Sequence, residues 1–153
     1  MNIETDIPVF GKRVLNCPYV VRPSAYALVR NTDHLIAVVR TDAGYFLPGG
    51  GIEEGEDPEQ AVAREALEEC GIVVSVAGLV GRAVEIVYSA HERTCFEKDS
   101  AFLEARLQAA TFWREPGYEL LWLTAREAIS QLSHGSHRWA VEQFESKEID
   151  HAT

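Results

Sequence analysis

"GGGIEEGEDPEQAVAREALEECGI", residues 49–72, contains the one element whose start, length and end can all be read from residue types. Asp57 suits a helix N-cap, Pro58 the first helical position, and Gln60 stands where it completes a capping-box pattern. Gly71 suits the residue just past the helix end, where a left-handed backbone is needed. The spacing therefore predicts a helix over 58–70, about 20 Å long at 1.5 Å per residue. Val62, Ala63, Ala66, Leu67 and Cys70 read as its apolar face, and Arg64, Glu65, Glu68 and Glu69 as the opposite one. Glu65 then lies one turn from both Glu68 and Glu69, and like charges at those spacings repel by roughly 0.2–0.5 kcal/mol per pair.

The flanking residues add Glu53, Glu54, Glu56, Asp57 and Glu59, so residues 50–72 hold eight acidic side chains and one basic one, Arg64. A helix shaped only for solubility would mix signs along its surface. Carboxylates crowded on a rigid element suit a hard divalent cation such as Mg²⁺, which takes oxygen ligands and shares its coordination sphere with substrate phosphates.

The rest of the chain narrows the function classes. Its 153 residues suffice for a single domain, 1–153, with its own core, and a hydrophobic content of 46% excludes a disordered chain. The net charge of −10 argues against duplex nucleic acid, whose binders place Lys and Arg on phosphates. Phosphate chemistry is open to such a chain only through a cation. Cys17, Cys70 and Cys95 form no CxxC pair and are odd in number, which speaks against a zinc site of the usual spacing and against a disulfide framework. The opening "MNIETDIPVFGKRV" does not resemble a signal peptide, and no stretch reaches transmembrane length, so a cytoplasmic location away from membranes is expected.

"AYALVRN" (25–31) and "HLIAVVR" (34–40) read as a hairpin turning at Asn31–Asp33. "GYFLPGGG" (44–51) reads as a strand running into a loop, and 72–88 as a strand interrupted at Gly78 or Gly81. Residues 101–113 fit strand or helix; 118–124 reads as a strand, and 125–132 and 137–145 as helices. The expected class is mixed α and β with at least five strands.

The spacing Gly50-x5-Glu56-x7-Arg64-Glu65-Ala66-Leu67-Glu68-Glu69-Cys70-Gly71-Ile72 resembles the Nudix box at every fixed position, and the preceding "FLPGGG" and the acidic "IEEGE" also look like that family. Ala66 stands where the pattern usually has a larger aliphatic. The resemblance covers 23 residues and implies an α+β fold: an α/β/α sandwich around a mixed sheet, with the box as strand–loop–helix. It favours a strand for 101–113. It implies hydrolysis of a diphosphate linkage in a nucleoside diphosphate joined to another moiety, with Mg²⁺ as cofactor, Mn²⁺ as the alternative, and a small phosphate-containing molecule as substrate. A homodimer is compatible with it. The metal-facing residues it implies are Glu65, Glu68 and Glu69, the last two as direct ligands, with Glu56 and Arg64 bracing them; Gly50 and Gly51 let the backbone approach metal or phosphate. The general base is left open between Glu65 and Glu69 in the box and Glu115 or Glu119 before the strand at 118–124.

Two other readings of the same fold compete. A ligand-sensing domain without catalysis would have lost box carboxylates, and none is lost; a prenyl diphosphate isomerase would want a degraded box and a catalytic cysteine. Substrate signals are faint: no proline lies between Ile72 and Glu115, against an ADP-sugar class, and Tyr88 resembles a tyrosine of dinucleoside polyphosphate hydrolases. Segment 88–98 reads as a substrate-facing loop or an ordinary hairpin, His134 and His137 as a cap or surface feature, and Trp113, Trp122 and Trp139 as core.

Overall fold

The computed structural model describes residues 6–151. In chain order the elements are β1 (Val9–Phe10), β2 (Tyr19–Arg30), β3 (Ile36–Thr41), β4 (Gly44–Phe46), β5 (Gly49–Gly51), α1 (Pro58–Cys70), β6 (Ile72–Ser89), β7 (Thr94–Ala110), β8 (Glu119–Leu123), α2 (Ala125–Gln131) and α3 (Gly135–His151). The strands form one mixed sheet. Its main order is β1-β6-β7-β2-β3-β4, with β5 added to β2 and β8 to β3. The β1–β6 and β2–β7 pairs are parallel and the rest antiparallel.

The sheet alternates its side chains between two cores. Ala25, Ala27, Val29, Leu103 and Ala105 meet Val62, Ala66 and Cys70 of α1 on one face. Tyr26, Leu28, Ile36, Val38 and Phe102 meet Ala128 of α2 and Ala140, Val141 and Phe144 of α3 on the other. This is the α/β/α sandwich expected. No helix among the described residues is long and apolar enough to cross a membrane.

The predicted hairpin is present, but its strands touch only at Arg30 and Ile36 before splaying apart. The wedge between them is filled by the segment after Thr41: β4 pairs along β3, and β5 pairs along β2 with Ala25 opposite Gly50. The glycine-rich segment read as a loop is thus partly a strand, threaded into the middle of the sheet. β6 runs unbroken to Ser89; Gly78 and Gly81 mark register shifts within it, so the expected interruptions are bulges. Residues 101–110 are strand, and of the two readings of 88–98 the ordinary hairpin is found, with its turn at residues 90–93. Trp122 and Trp139 pack against the two cores, whereas Trp113 is exposed.

Helix α1 has the predicted ends. Asp57 and Gln60 form the reciprocal capping box, and Gly71 closes the helix at φ 66°. Its inward face is not the one the apolar residues suggested. Ala61, Val62, Ala66, Glu69 and Cys70 are buried, while Ala63 and Leu67 point outward. The inner stripe runs 61/62, 65/66, 69/70, at the i, i+4, i+8 spacing of a helix face. Two of the three glutamates expected to face the metal, Glu65 and Glu69, therefore lean toward the sheet. The small Ala61 and Ala66 let the helix approach closely enough for Glu69 to reach the wedge.

Candidate active site

The site forms where the C-terminal half of α1 passes the segment in the wedge. Glu69 Oε1 accepts the Gly49 N–H at 2.8 Å, tying the helix to the start of β5. Next to it, a Cβ on Gly50 would stand 2.9 Å from Glu65 Oε1, so only glycine leaves this carboxylate its place. Gly51 is different. A Cβ there would meet nothing within 4 Å, and its contribution is the carbonyl, which accepts from Arg64 Nη2 at 3.2 Å.

Arg64 organises the acidic residues around it. Its Nε and Nη2 donate to the two oxygens of Glu56 at 2.8 and 3.0 Å, a bidentate pair. Its Nη1 donates to Glu65 at 3.0 Å and Glu68 at 3.3 Å, and lies 3.6 Å from Glu53. Glu56 in turn accepts the Glu53 N–H, so the acidic loop before the helix is fixed as well. The hydrogen bonds from Arg64 hold the Glu56 carboxyl below its ordinary range, and Glu56 raises the guanidinium further above its own.

The two inward glutamates behave oppositely to Glu56. Burial pushes the Glu69 carboxyl up to about 8; the Gly49 N–H opposes the shift, and the charges of Glu65, Glu68 and Glu115 add to it. Burial also raises Glu65, against the pull of Arg64. A buried cluster that resists its own ionisation is stabilised by added positive charge. A divalent cation would supply that charge, and the donor set, all carboxylate oxygens beside a glycine-lined cradle, fits Mg²⁺ or Mn²⁺. Among the described residues no three such groups already surround one ion position. Arg64 occupies the space between Glu65 and Glu68, so a cation would have to draw these side chains round.

The two outlying candidates for the base part company. Glu115 joins the site: its N–H donates to the Glu68 carbonyl at 2.8 Å, and its charge acts on Glu65, Glu69 and Tyr118. Glu119 does not; its carboxylate pairs with Arg40 across β8 and β3.

Sequence reasoning missed His137. It is fully buried on α3, and its Nδ1 accepts the Leu47 N–H at 3.1 Å. Burial holds its pKa well below the ordinary imidazole value, so the ring is neutral and keeps an acceptor for that bond. Two residues earlier, the Tyr45 N–H donates to Ser133 Oγ at 3.0 Å. The donors of residues 45, 47 and 49 thus go to side chains from the α2–α3 connection, α3 and α1. The Pro48 carbonyl accepts from Ala27 at 2.8 Å. The only advance signal was the HxxH of His134 and His137, which pointed to a cap or a surface rather than to this loop.

The NUDIX domain family matches residues 20–143. The chain is 39% identical over 61 residues to Nudix hydrolase 25 of Arabidopsis thaliana, covering 38% of this chain and 35% of that protein. It is 48% identical over 58 residues to a MutT-like protein of Streptomyces ambofaciens, covering 37% and 38%. These matches span little more than a third of each relative. A NUDIX hydrolase structure from Nitrosomonas europaea superposes with a TM-score of 0.67 at 18% identity, over 82% of this chain and 89% of that one, which supports the fold. With the family match running from β2 into α3 and the box residues assembled at the wedge, the chain belongs to the NUDIX family.

Proposed function

We propose that this protein hydrolyses a diphosphate linkage in a nucleoside diphosphate derivative, with a divalent cation held by Glu65, Glu68 and Glu69. The observation that carries this reading is the buried Glu69 carboxyl, pushed up to about 8 at the end of a glycine-lined cradle and surrounded by further carboxylates. Such a cluster is unfavourable in itself and becomes favourable around a cation. The cation would offset the charge of the diphosphate oxygens and lower the pKa of the attacking water.

The residues of the chain divide the remaining work. Glu65, Glu68 and Glu69 would hold the cation beside β5. Arg64 and Glu56 hold the first two in place and separate their charges until it arrives. Glu69 fixes Gly49, and the missing Cβ of Gly50 leaves the Glu65 carboxylate its place against the backbone. Proton abstraction falls to Glu65, Glu69 or Glu115, the carboxylates that share one electrostatic environment. Most of the acceleration is positioning and charge neutralisation, as in other phosphoryl transfers. The test is release of phosphate or nucleotide from a panel of nucleoside triphosphates, nucleotide sugars, dinucleoside polyphosphates and capped RNA ends. Activity that requires Mg²⁺ or Mn²⁺ and stops in chelator is the expected result; unchanged turnover in excess chelator, or binding of the panel without turnover, would overturn it.

A further inference from the structure

Beyond the carboxylates, the α3 face of the sheet carries a pair of cations that the mechanism above does not use. Arg22 on β2, Lys98 on β7 and Glu85 on β6 are consecutive neighbours in the strand register, so their side chains share one row. The next row is Ser24 and Ser100, and Ser24 is also paired with Gly51 at the end of β5. Arg22 thus stands two residues, about 7 Å, along the strand from the edge of the glycine cradle.

The cations are available. Glu85 is buried and committed to the start of α3, its Oε1 accepting the Ser136 N–H at 2.9 Å. Among the described residues neither Lys98 nor Arg22 is in an ion pair. Lys98 is half-buried, and burial together with the charge of Arg22 holds its pKa below the ordinary ammonium value, against the opposing charge of Glu85 beside it. Arg22 lies over the Phe96 ring at 4.1 Å, which holds its guanidinium on this face. The row and the carboxylates are linked electrostatically: the charges of Glu69, Glu65 and Glu85 all act on Tyr26, which is paired with Gly49. Two adjacent cations of which one is half-buried are unfavourable in a free protein, and become favourable when an anion sits between them.

We infer that Arg22 and Lys98 form a cationic subsite for a substrate phosphate beyond the two that flank the hydrolysed bond. The inference rests on the proposed diphosphate hydrolysis and narrows it. The favoured substrate carries a chain of three or more phosphates, rather than a diphosphate ending in a neutral sugar.

The experiment compares wild type, Lys98→Met and Arg22→Gln with UTP and UDP-glucose in Mg²⁺, and measures binding of inorganic tripolyphosphate and pyrophosphate by calorimetry. Wild type is expected to bind tripolyphosphate more tightly than pyrophosphate. Lys98→Met should remove that preference and shift the ratio of KM for UTP to KM for UDP-glucose about tenfold, the size of one charge-assisted hydrogen bond. Arg22→Gln, at an exposed position that folding tolerates, should shift it in the same direction and carries the test should Lys98→Met not fold. Equal changes for both nucleotides, or no preference for tripolyphosphate in wild type, would overturn the subsite. Should neither nucleotide be hydrolysed, the hydrolase reading falls, and the preference for tripolyphosphate still decides the subsite.

Discussion

The segment from Tyr45 to Gly49 is gripped by two helices, and the grips differ in kind. From the α1 side, Glu69 accepts the Gly49 N–H with a carboxylate that burial makes reluctant to ionise. From the α3 side, His137 accepts the Leu47 N–H with a neutral ring that burial makes reluctant to protonate. On the proposed reading the first acceptor has a second use, since its other oxygen would take a cation. The second is packed against Tyr26, Phe46 and Phe102, and its Nδ1 is committed to the loop. On that reading one side of the loop serves chemistry and the other position, and substitutions on the two sides should fail differently.

The largest effect is expected at Glu68 and Glu69. Glu69→Gln keeps an oxygen that can accept from Gly49 but removes a buried charge, so the cation-free protein should hold or gain stability. Loss of a ligand removes several kcal/mol of transition-state stabilisation, and each 1.4 kcal/mol is about tenfold, so turnover should fall about a thousandfold. Glu68→Gln should behave alike, and Glu59→Gln, exposed at the start of α1, should change neither quantity. Steady-state rates and thermal melts of the three variants check this; normal turnover in both the Glu68 and Glu69 variants would remove them from the metal site.

Arg64→Ala should cost less activity and more stability. It takes away the bidentate partner of Glu56 and the only cation among the box residues. Outer-shell partners of a metal site are worth about 10–100-fold in affinity or activity. Hydrogen bonds to charged groups contribute about 1.5–3 kcal/mol, so a loss of roughly 2 kcal/mol of stability is expected. Calorimetric Mn²⁺ binding and denaturant melts read the two effects separately. If both stay at wild-type values, Arg64 is a solvated surface residue.

On the α3 side, His137→Phe keeps a ring but leaves the Leu47 N–H without an acceptor, a cost of about 1–3 kcal/mol. The loop should loosen and kcat should fall about tenfold, as outer-shell losses do. His137→Asn places an amide oxygen near the former Nδ1, and should recover kcat while remaining as destabilised as the Phe variant by its smaller volume. If the two variants lose activity in proportion to their stability alone, His137 is a packing residue and no more.

The contrast also shows what the sequence could disclose. The α1 side was legible because its residues lie within one 23-residue stretch at fixed spacings, with caps that define the helix to the residue. Even there the apolar pattern misplaced the inward face, because Ala63 and Leu67 look like core while the geometry of the wedge puts Glu65 and Glu69 inside. The α3 side was illegible. His137 and Leu47 are 90 residues apart and meet only through the sheet, and nothing in an HxxH names a backbone N–H as its partner. The splayed hairpin was hidden for the same reason: β2 and β3 read as ordinary partners until β4 and β5 enter between them. Glu115 and Glu119 looked equivalent by position. Only the fold shows Glu119 paired with Arg40 and Glu115 beside Glu68.

The most discriminating effect concerns pH. The folded Glu69 carboxyl lies at about 8, above the ordinary value of 4.5, and Glu65 is shifted in the same direction. Below 4.5 both folded and unfolded chains hold these protons. Between 4.5 and about 8 the folded chain keeps a proton that the unfolded chain has released, so stability falls as pH rises through this window and levels off above it. Glu56, shifted downward, contributes stability that is present above its unfolded value and is lost only toward acid pH, outside the same window. His137, neutral when folded, acts the other way: the unfolded chain loses its proton near 6.5, which favours folding as pH rises through that value. The melting temperature of the cation-free protein should therefore fall from pH 5 toward 8 more steeply in His137→Asn than in wild type, and flatten in Glu69→Gln. Mg²⁺ should raise it more at pH 8 than at pH 5, because at pH 5 the cation must first displace the proton on Glu69. The two sides of the loop are then separated by the sign of their slopes. If Glu69→Gln and wild type have the same slope, the carboxyl is ionised throughout and the cluster does not resist its own ionisation.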